Sequence, residues 1–135
     1  ENQRITHFHF SDPNPDTIAI LHEQQVRFKR AGLRLKTFNQ LKKGQLPIEA
    51  TLDLHHQTIE EAKEQLAIFL NQAEQQHFRV LLIIHGKGLS QPKQLPKLKN
   101  YVCHWLEQYP NILAFCSAIP RDGGAGAVTV LLAKN

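Results

Sequence analysis

The sequence predicts an α/β protein of the α+β, two-layer sandwich kind: four strands in a mixed sheet, in the order β-α-β-α-β-β, with two helices covering one face. Three observations carry this. The run FRVLLIIH (78–85) is continuously apolar, the mark of a strand buried on both faces. It is flanked by TIEEAKEQLAIFLNQAEQQ and LPKLKNYVCHWLEQY, whose apolar residues recur at helical spacing. Three further short runs, ATLDL, ILAFCSA and AVTVLLA, supply the remaining strands. A strand, a helix and a strand imply a crossover and a parallel pair, and two helices can then cover one sheet face. The 135 residues suit one domain with an appendage, and 41% of them are hydrophobic, enough for a sizeable core.

In chain order, ATLDL (50–54) opens the domain. The first helix begins at a capping box, Thr58 with Glu61, and carries the stripe Ile59, Ala62, Leu66, Phe69, Leu70 and Ala73. The central strand follows. The second helix aligns Leu95, Leu98, Val102, Trp105, Leu106 and Tyr109 on one face; Pro92 or Pro96 lies in its first turn and Pro110 stops it. The last two strands are joined by IPRDGGAG. Ahead of KKGQLPIEA the pattern is weaker. ITHFHF alternates like a short strand, and NPDTIAILHEQQVRFKRAG has the Asn, Pro and Gly signals of a helix with poor apolar spacing. Residues 1–45 therefore read as an N-terminal extension and 46–135 as the domain.

The extension is basic. Residues 1–48 hold eight Lys+Arg against four Asp+Glu, and residues 49–135 hold eight of each, so the net charge of +4 belongs to the first part. Seven basic residues lie between Arg27 and Lys43 with no acid among them. Such a stretch is either a solvated arm or one that follows a polyanion. No apolar run reaches the length of a membrane span and no secretory h-region opens the sequence, so a membrane partner is not expected. Cys103 and Cys116 fit no metal or redox spacing and read as two buried thiols of a cytoplasmic protein.

The residues that carry chemistry fall at strand ends. If the first two strands are parallel, their carboxyl ends share one edge, where open sheets place ligands. Asp53 and His55 end the first strand and His85 ends the second. Strand alternation puts Leu52 and Leu54 on one face and Asp53 and His55 on the other. A carboxylate two residues from an imidazole can hold it in one tautomer and make it a better base. The same pair could ligate a divalent metal, or simply cap the next helix. The turn HGKG adds Gly86, Lys87 and Gly88, whose backbone could cradle an anion, and Lys93 follows among several lysines; residues 80–106 contain no acid. In PRDGGAG, Arg121 and Gly124 are further candidates for phosphate contact. His56 points away from His55 if the strand persists, an auxiliary at most. His7, His9, His22, His77 and His104 are not expected to be catalytic.

The motifs LDLH, IIHGKG and GGAGAVTVLL, in this order and spacing, resemble the Smr (small MutS-related) domain, over roughly residues 34–134. That resemblance implies a β-α-β-α-β-β fold similar to the C-terminal domain of translation initiation factor three. It implies a nucleic-acid endonuclease, nicking DNA or cutting RNA, including messenger RNA on stalled ribosomes. It assigns cleavage chiefly to Asp53 and His55, and maps the glycine-bearing motif onto His85, Gly86, Lys87 and Gly88. Many family members carry Gly after LDLH, where this chain has His56.

The expected function is therefore phosphodiester cleavage, with His55 as general base or acid, Asp53 orienting it, His85 as second proton-transfer group and Lys87 with its glycines stabilising transition-state charge. RNA supplies its own 2′-hydroxyl nucleophile; DNA needs an external one, usually water on a divalent metal such as magnesium or manganese. Asp53, His55 and His85 are a thin ligand set, which tilts the reading toward metal-independent RNA cleavage. The alternative is a non-catalytic module binding nucleic acid or a ribosome surface.

Overall fold

In the computed structural model, which describes residues 8–88 and 96–134, a five-stranded sheet carries helices on both faces. The elements are β1 (Arg27–Lys29), α1 (Leu35–Lys42), β2 (Ala50–Asp53), α2 (Ile59–Gln75), β3 (Val80–Ile84), α3 (Lys97–Gln108), β4 (Ile112–Ser117) and β5 (Ala127–Leu132). The sheet order is β1-β4-β5-β3-β2. β2 and β3 are parallel, with Asp53 opposite Ile84, and the other neighbours are antiparallel. The α+β class, the parallel pair and the order of elements from β2 onward agree with the sequence. The sheet has one strand more than expected, and the fold one helix more, because β1 and α1 come from the segment read as an extension.

The central strands explain the two faces. Along β3, Leu81 and Ile83 are fully buried against the stripe of α2 (Ala62, Leu66, Leu70) and of α3 (Val102, Trp105, Leu106). Val80 and Leu82 point the other way. Val80 joins Ala114, Cys116 and Leu131 beneath Phe38 and Leu41 of α1. The capping box forms as the sequence required: the Glu61 amide donates to Thr58 Oγ1 at 3.1 Å and the Thr58 amide to Glu61 Oε1 at 2.9 Å. Cys103 and Cys116 are both free and buried, and burial pushes their thiols up to about 12 and about 11.

Residues 14–32 do not form the expected helix. Asn14 Oδ1 accepts the Asp16 amide at 3.0 Å, one 3-10 turn follows at Pro15–Thr17, and the chain then runs without regular structure to β1. The apolar residues Ile18, Ile20, Val26 and Phe28 have no helical face to offer; Ile20, Val26 and Phe28 pack singly against the core. The chain ahead of β1 is strapped across α2 and α3. Phe10 is buried, 6.0 Å from Trp105 between ring centroids, and Asp12 accepts from Trp105 Nε1 at 3.2 Å and pairs with Lys63 at 3.0 Å. The start of ITHFHF lies outside the described residues, and Phe8–Phe10 form no strand.

The basic stretch is likewise built in. β1 pairs with β4 along its whole length. Arg30 donates to the carbonyls of Glu107 and Tyr109 at the end of α3, at 2.8 and 3.1 Å, and to that of Ile112 at the start of β4, at 2.6 Å. Among the seven basic residues, Arg27, Lys29, Arg34, Lys36 and Lys43 remain exposed.

Candidate active site

β2 and β3 end together because they are parallel and in register, and the Leu54 amide extends the pairing by donating to the Ile84 carbonyl at 2.7 Å. Asp53 and His55 on one strand and His85 on the other thus meet at one rim, around a groove of about 730 Å³. β5 starts at the same end, and so does β1.

Asp53 and His55 are both half exposed, their side chains 49% and 48% accessible. The Asp53 carboxylate accepts the His55 amide at 3.0 Å and the His55 ring through Nδ1–H. The ring bond, opposed by partial burial, holds the Asp53 carboxyl below the usual range, so it is ionised at neutral pH. A carboxylate only accepts, so in the neutral ring the proton sits on Nδ1 and the lone pair on Nε2. This is the arrangement that orients a general base.

His85 has a different character. It is 4% exposed. Its Nδ1–H donates to the Gly86 carbonyl at 2.9 Å, and its Nε2, also buried, has no hydrogen-bond partner among the described residues. Burial, with the nearby Lys99 charge adding to it, lowers its pKa to about 4. At neutral pH the ring is neutral and can accept a hydrogen bond or a proton. It holds none to give, which narrows the proton-transfer role expected of it.

The HGKG turn is clipped to the start of β5. The amides of His85 and Gly86 both donate to the Gly126 carbonyl, at 3.0 and 2.9 Å. The Gly86 amide is thereby committed within the fold rather than open to an anion. The close approach explains Gly126: a Cβ there would stand 2.9 Å from Lys87 Cγ. Gly86 and Gly88 have φ of 90° and 70°, the left-handed region that only glycine enters freely. Lys87 is exposed and lines the groove, with Gly88 beside it. Arg121 and Gly124 lie in the β4–β5 connection without lining the groove, and Arg121 pairs with its neighbour Asp122 at 3.7 Å. Lys93 lies outside the described residues.

His56 does not continue the strand. β2 stops at Asp53, the Gln57 amide returns to the Leu54 carbonyl at 3.1 Å, and His56 occupies this turn with φ 68°. A non-glycine residue there costs about 1 kcal/mol. The turn brings its ring beside that of His55, with centroids 4.4 Å apart and planes tilted by 54°.

Two features had no signal in the motifs. His22 forms the groove wall opposite the strand ends: its Nδ1 lies 2.8 Å from the Lys87 carbonyl and its ring packs over Gly88. Lys99, 1% exposed, holds that segment in place, donating from Nζ to the carbonyls of Leu21, His22 and Gln24 at 2.9, 2.9 and 2.7 Å. Asn100 adds a two-way bond to Ile20 at 2.9 and 3.0 Å.

The donor set does not fit a metal centre. Asp53 and His55 are bonded to each other, and among the described residues no three His, Cys, Asp or Glu side chains are grouped to hold an ion. Among the described residues no helix is long and apolar enough to cross a membrane.

A family model described as the Smr domain matches residues 52–133. The chain is 36% identical over 112 residues to the Escherichia coli protein named probable DNA endonuclease SmrA, covering 83% of this chain and 60% of that protein's length. It is 30% identical over 135 residues to ribosome rescue factor SmrB of Tolumonas auensis, covering all of this chain and 72% of the relative. Among solved structures it is similar to YdaL, a stand-alone small MutS-related protein from Escherichia coli, with a TM-score of 0.77 and 35% identity over 90% of this chain and 92% of that one. The Smr domain of Thermus thermophilus MutS2 matches 62% of this chain and 98% of that one, with a TM-score of 0.54 and 26% identity. The LDLH and HGKG rim, the sheet that presents it and these likenesses agree, and the chain belongs to the Smr family.

Proposed function

We propose that this chain is an endonuclease that cleaves phosphodiester bonds by acid–base catalysis, with RNA as its preferred substrate. The observation that carries this reading is the Asp53–His55 pair, which turns a lone-pair Nε2 outward at a half-exposed rim beside a groove large enough for a nucleotide. His55 is the general base, removing the proton from the attacking hydroxyl. Asp53 fixes the ring and stabilises the imidazolium that forms. His85, neutral and with no partner for Nε2 among the described residues, accepts a hydrogen bond from the bound strand. Lys87 places a cation where charge gathers on the phosphoryl oxygens. The choice of RNA rests on the donor set: a 2′-hydroxyl nucleophile requires only a base and an acid, and the side chains at the rim are built for proton transfer rather than for ligation.

The test is cleavage of matched RNA and DNA strands by the purified chain, with and without chelator. Cleavage of RNA that survives chelator supports the reading. Cleavage of DNA alone, abolished by chelator, moves the function to metal-dependent nicking. Tight binding with no cleavage of either strand moves it to a binding module, the role that the name ribosome rescue factor leaves open for the SmrB relative.

A further inference from the structure

We infer that His56 is a second catalytic group of this groove, the general acid that protonates the leaving oxygen. The inference rests on reading the groove as a phosphodiester-cleaving site. Cleavage through a 2′-hydroxyl moves two protons. One leaves the nucleophile as its oxygen bonds to phosphorus. The other must reach the 5′-oxygen as its bond to phosphorus breaks, since an alkoxide is a poor leaving group. His55 Nε2 takes the first. The second needs a proton-donating group that stands close to His55 and opens onto the groove.

His85 does not meet that need. It is buried, and its Nδ1–H is spent on the Gly86 carbonyl. His22 is drawn toward the Lys87 carbonyl and packed against Gly88, as part of the wall. His56 meets it on three counts. Its ring is exposed and lines the groove. Its centroid lies 4.4 Å from that of His55, with the planes tilted by 54°, so both rings stand within reach of one phosphodiester. The turn that brings it there uses φ 68° at a residue with a Cβ, a conformation that a glycine would adopt more freely. After one turnover His55 is protonated and His56 is not, the products are a 2′,3′-cyclic phosphate and a 5′-hydroxyl, and exchange with water restores both rings. Atoms and charge balance with no further reactant.

The test uses His56→Gly, which fits the φ of the turn and so leaves the fold in place, and His56→Asn, which tolerates that φ and keeps a polar side chain. Each is assayed on two RNA strands that differ at one linkage: an ordinary 5′-oxygen, or a bridging 5′-sulfur whose thiolate leaves without protonation. Both variants should cut the ordinary linkage about 10²-fold or more below wild type, the scale of a lost general acid. On the sulfur linkage both should return to nearly the wild-type rate. An equal loss on the two linkages, or no loss on the ordinary one, overturns the acid role while leaving the endonuclease reading intact. A wild-type chain inert on the ordinary linkage overturns that reading and this inference together.

Discussion

Asp53 takes two donors from one residue, the amide and the ring Nδ1–H of His55, and the ring is thereby turned in a single direction. Asp53→Asn keeps the size of the side chain and removes its charge, so the cleavage rate should fall about 10²-fold or more with His55 still present. An unchanged rate would reduce Asp53 to a shaper of the turn. His85 makes a prediction about stability. The unfolded imidazole takes up a proton near pH 6.5 and the folded one near pH 4. Between these values the unfolded chain binds more protons, so stability is full above the window and declines as pH falls through it, by about 3 kcal/mol in all. Urea unfolding at several pH values should show that decline, and His85→Asn should flatten it. Asp12, Glu49 and Asp53, whose carboxyls are held below their ordinary values, add their own loss only toward the acid end of this window and below it, so the decline at its upper end reports His85. Asp53, His55, His85 and Lys87 were legible in the sequence because strand ends are local and parallel pairing brings them together. His22 was not, because it reaches the groove through a bond to a residue 65 positions away in the chain. Lys99 did leave a trace: it stands three, four and seven residues before Val102, Cys103 and Leu106, on the buried face of a helix, where a lysine demands an explanation.

Among the elements, those from β2 onward followed their local signals: the capping box, the continuous apolar run and the proline stop. The segment ahead of them did not, because its structure is set by partners far along the chain rather than by its own periodicity. Lys99 is the clearest of those partners, a buried ammonium satisfied by three carbonyls of residues 21–24 and pushed below its ordinary pKa by burial. Lys99→Met keeps the apolar stem and removes the donors, leaving three carbonyls to find water. Stability should drop by roughly 2 to 3 kcal/mol, the scale of hydrogen bonds to a charged group. The wall carrying His22 should loosen with it, which faster amide exchange across residues 20–25 would show. Unaltered unfolding and exchange would mean that the strap is held by Asn100 and Phe10 instead.

For the molecule as a whole, residues 8–42 are structural before they are electrostatic. Removing residues 1–45 takes away Phe10, Phe38 and Leu41, three buried side chains, and exposes the edge of β4 that β1 covers. That truncated chain should lose cooperative thermal unfolding, whereas a well-folded fragment would return these residues to the status of an appendage. Any role of the basic surface in binding is therefore better read from charge removal than from deletion. Neutralising the exposed Arg34, Lys36 and Lys43 should flatten the slope of log K against log salt by roughly 0.7 for each phosphate of a single strand that they neutralise. In the proposed mechanism the fold holds one imidazole, that of His55, against a phosphodiester. The most direct measurement compares wild type with His55→Ala on one RNA strand, recording single-turnover cleavage and equilibrium binding side by side. Cleavage by His55→Ala should fall by about 10²- to 10⁴-fold with affinity nearly unchanged. Equal cleavage by the two proteins would contradict it.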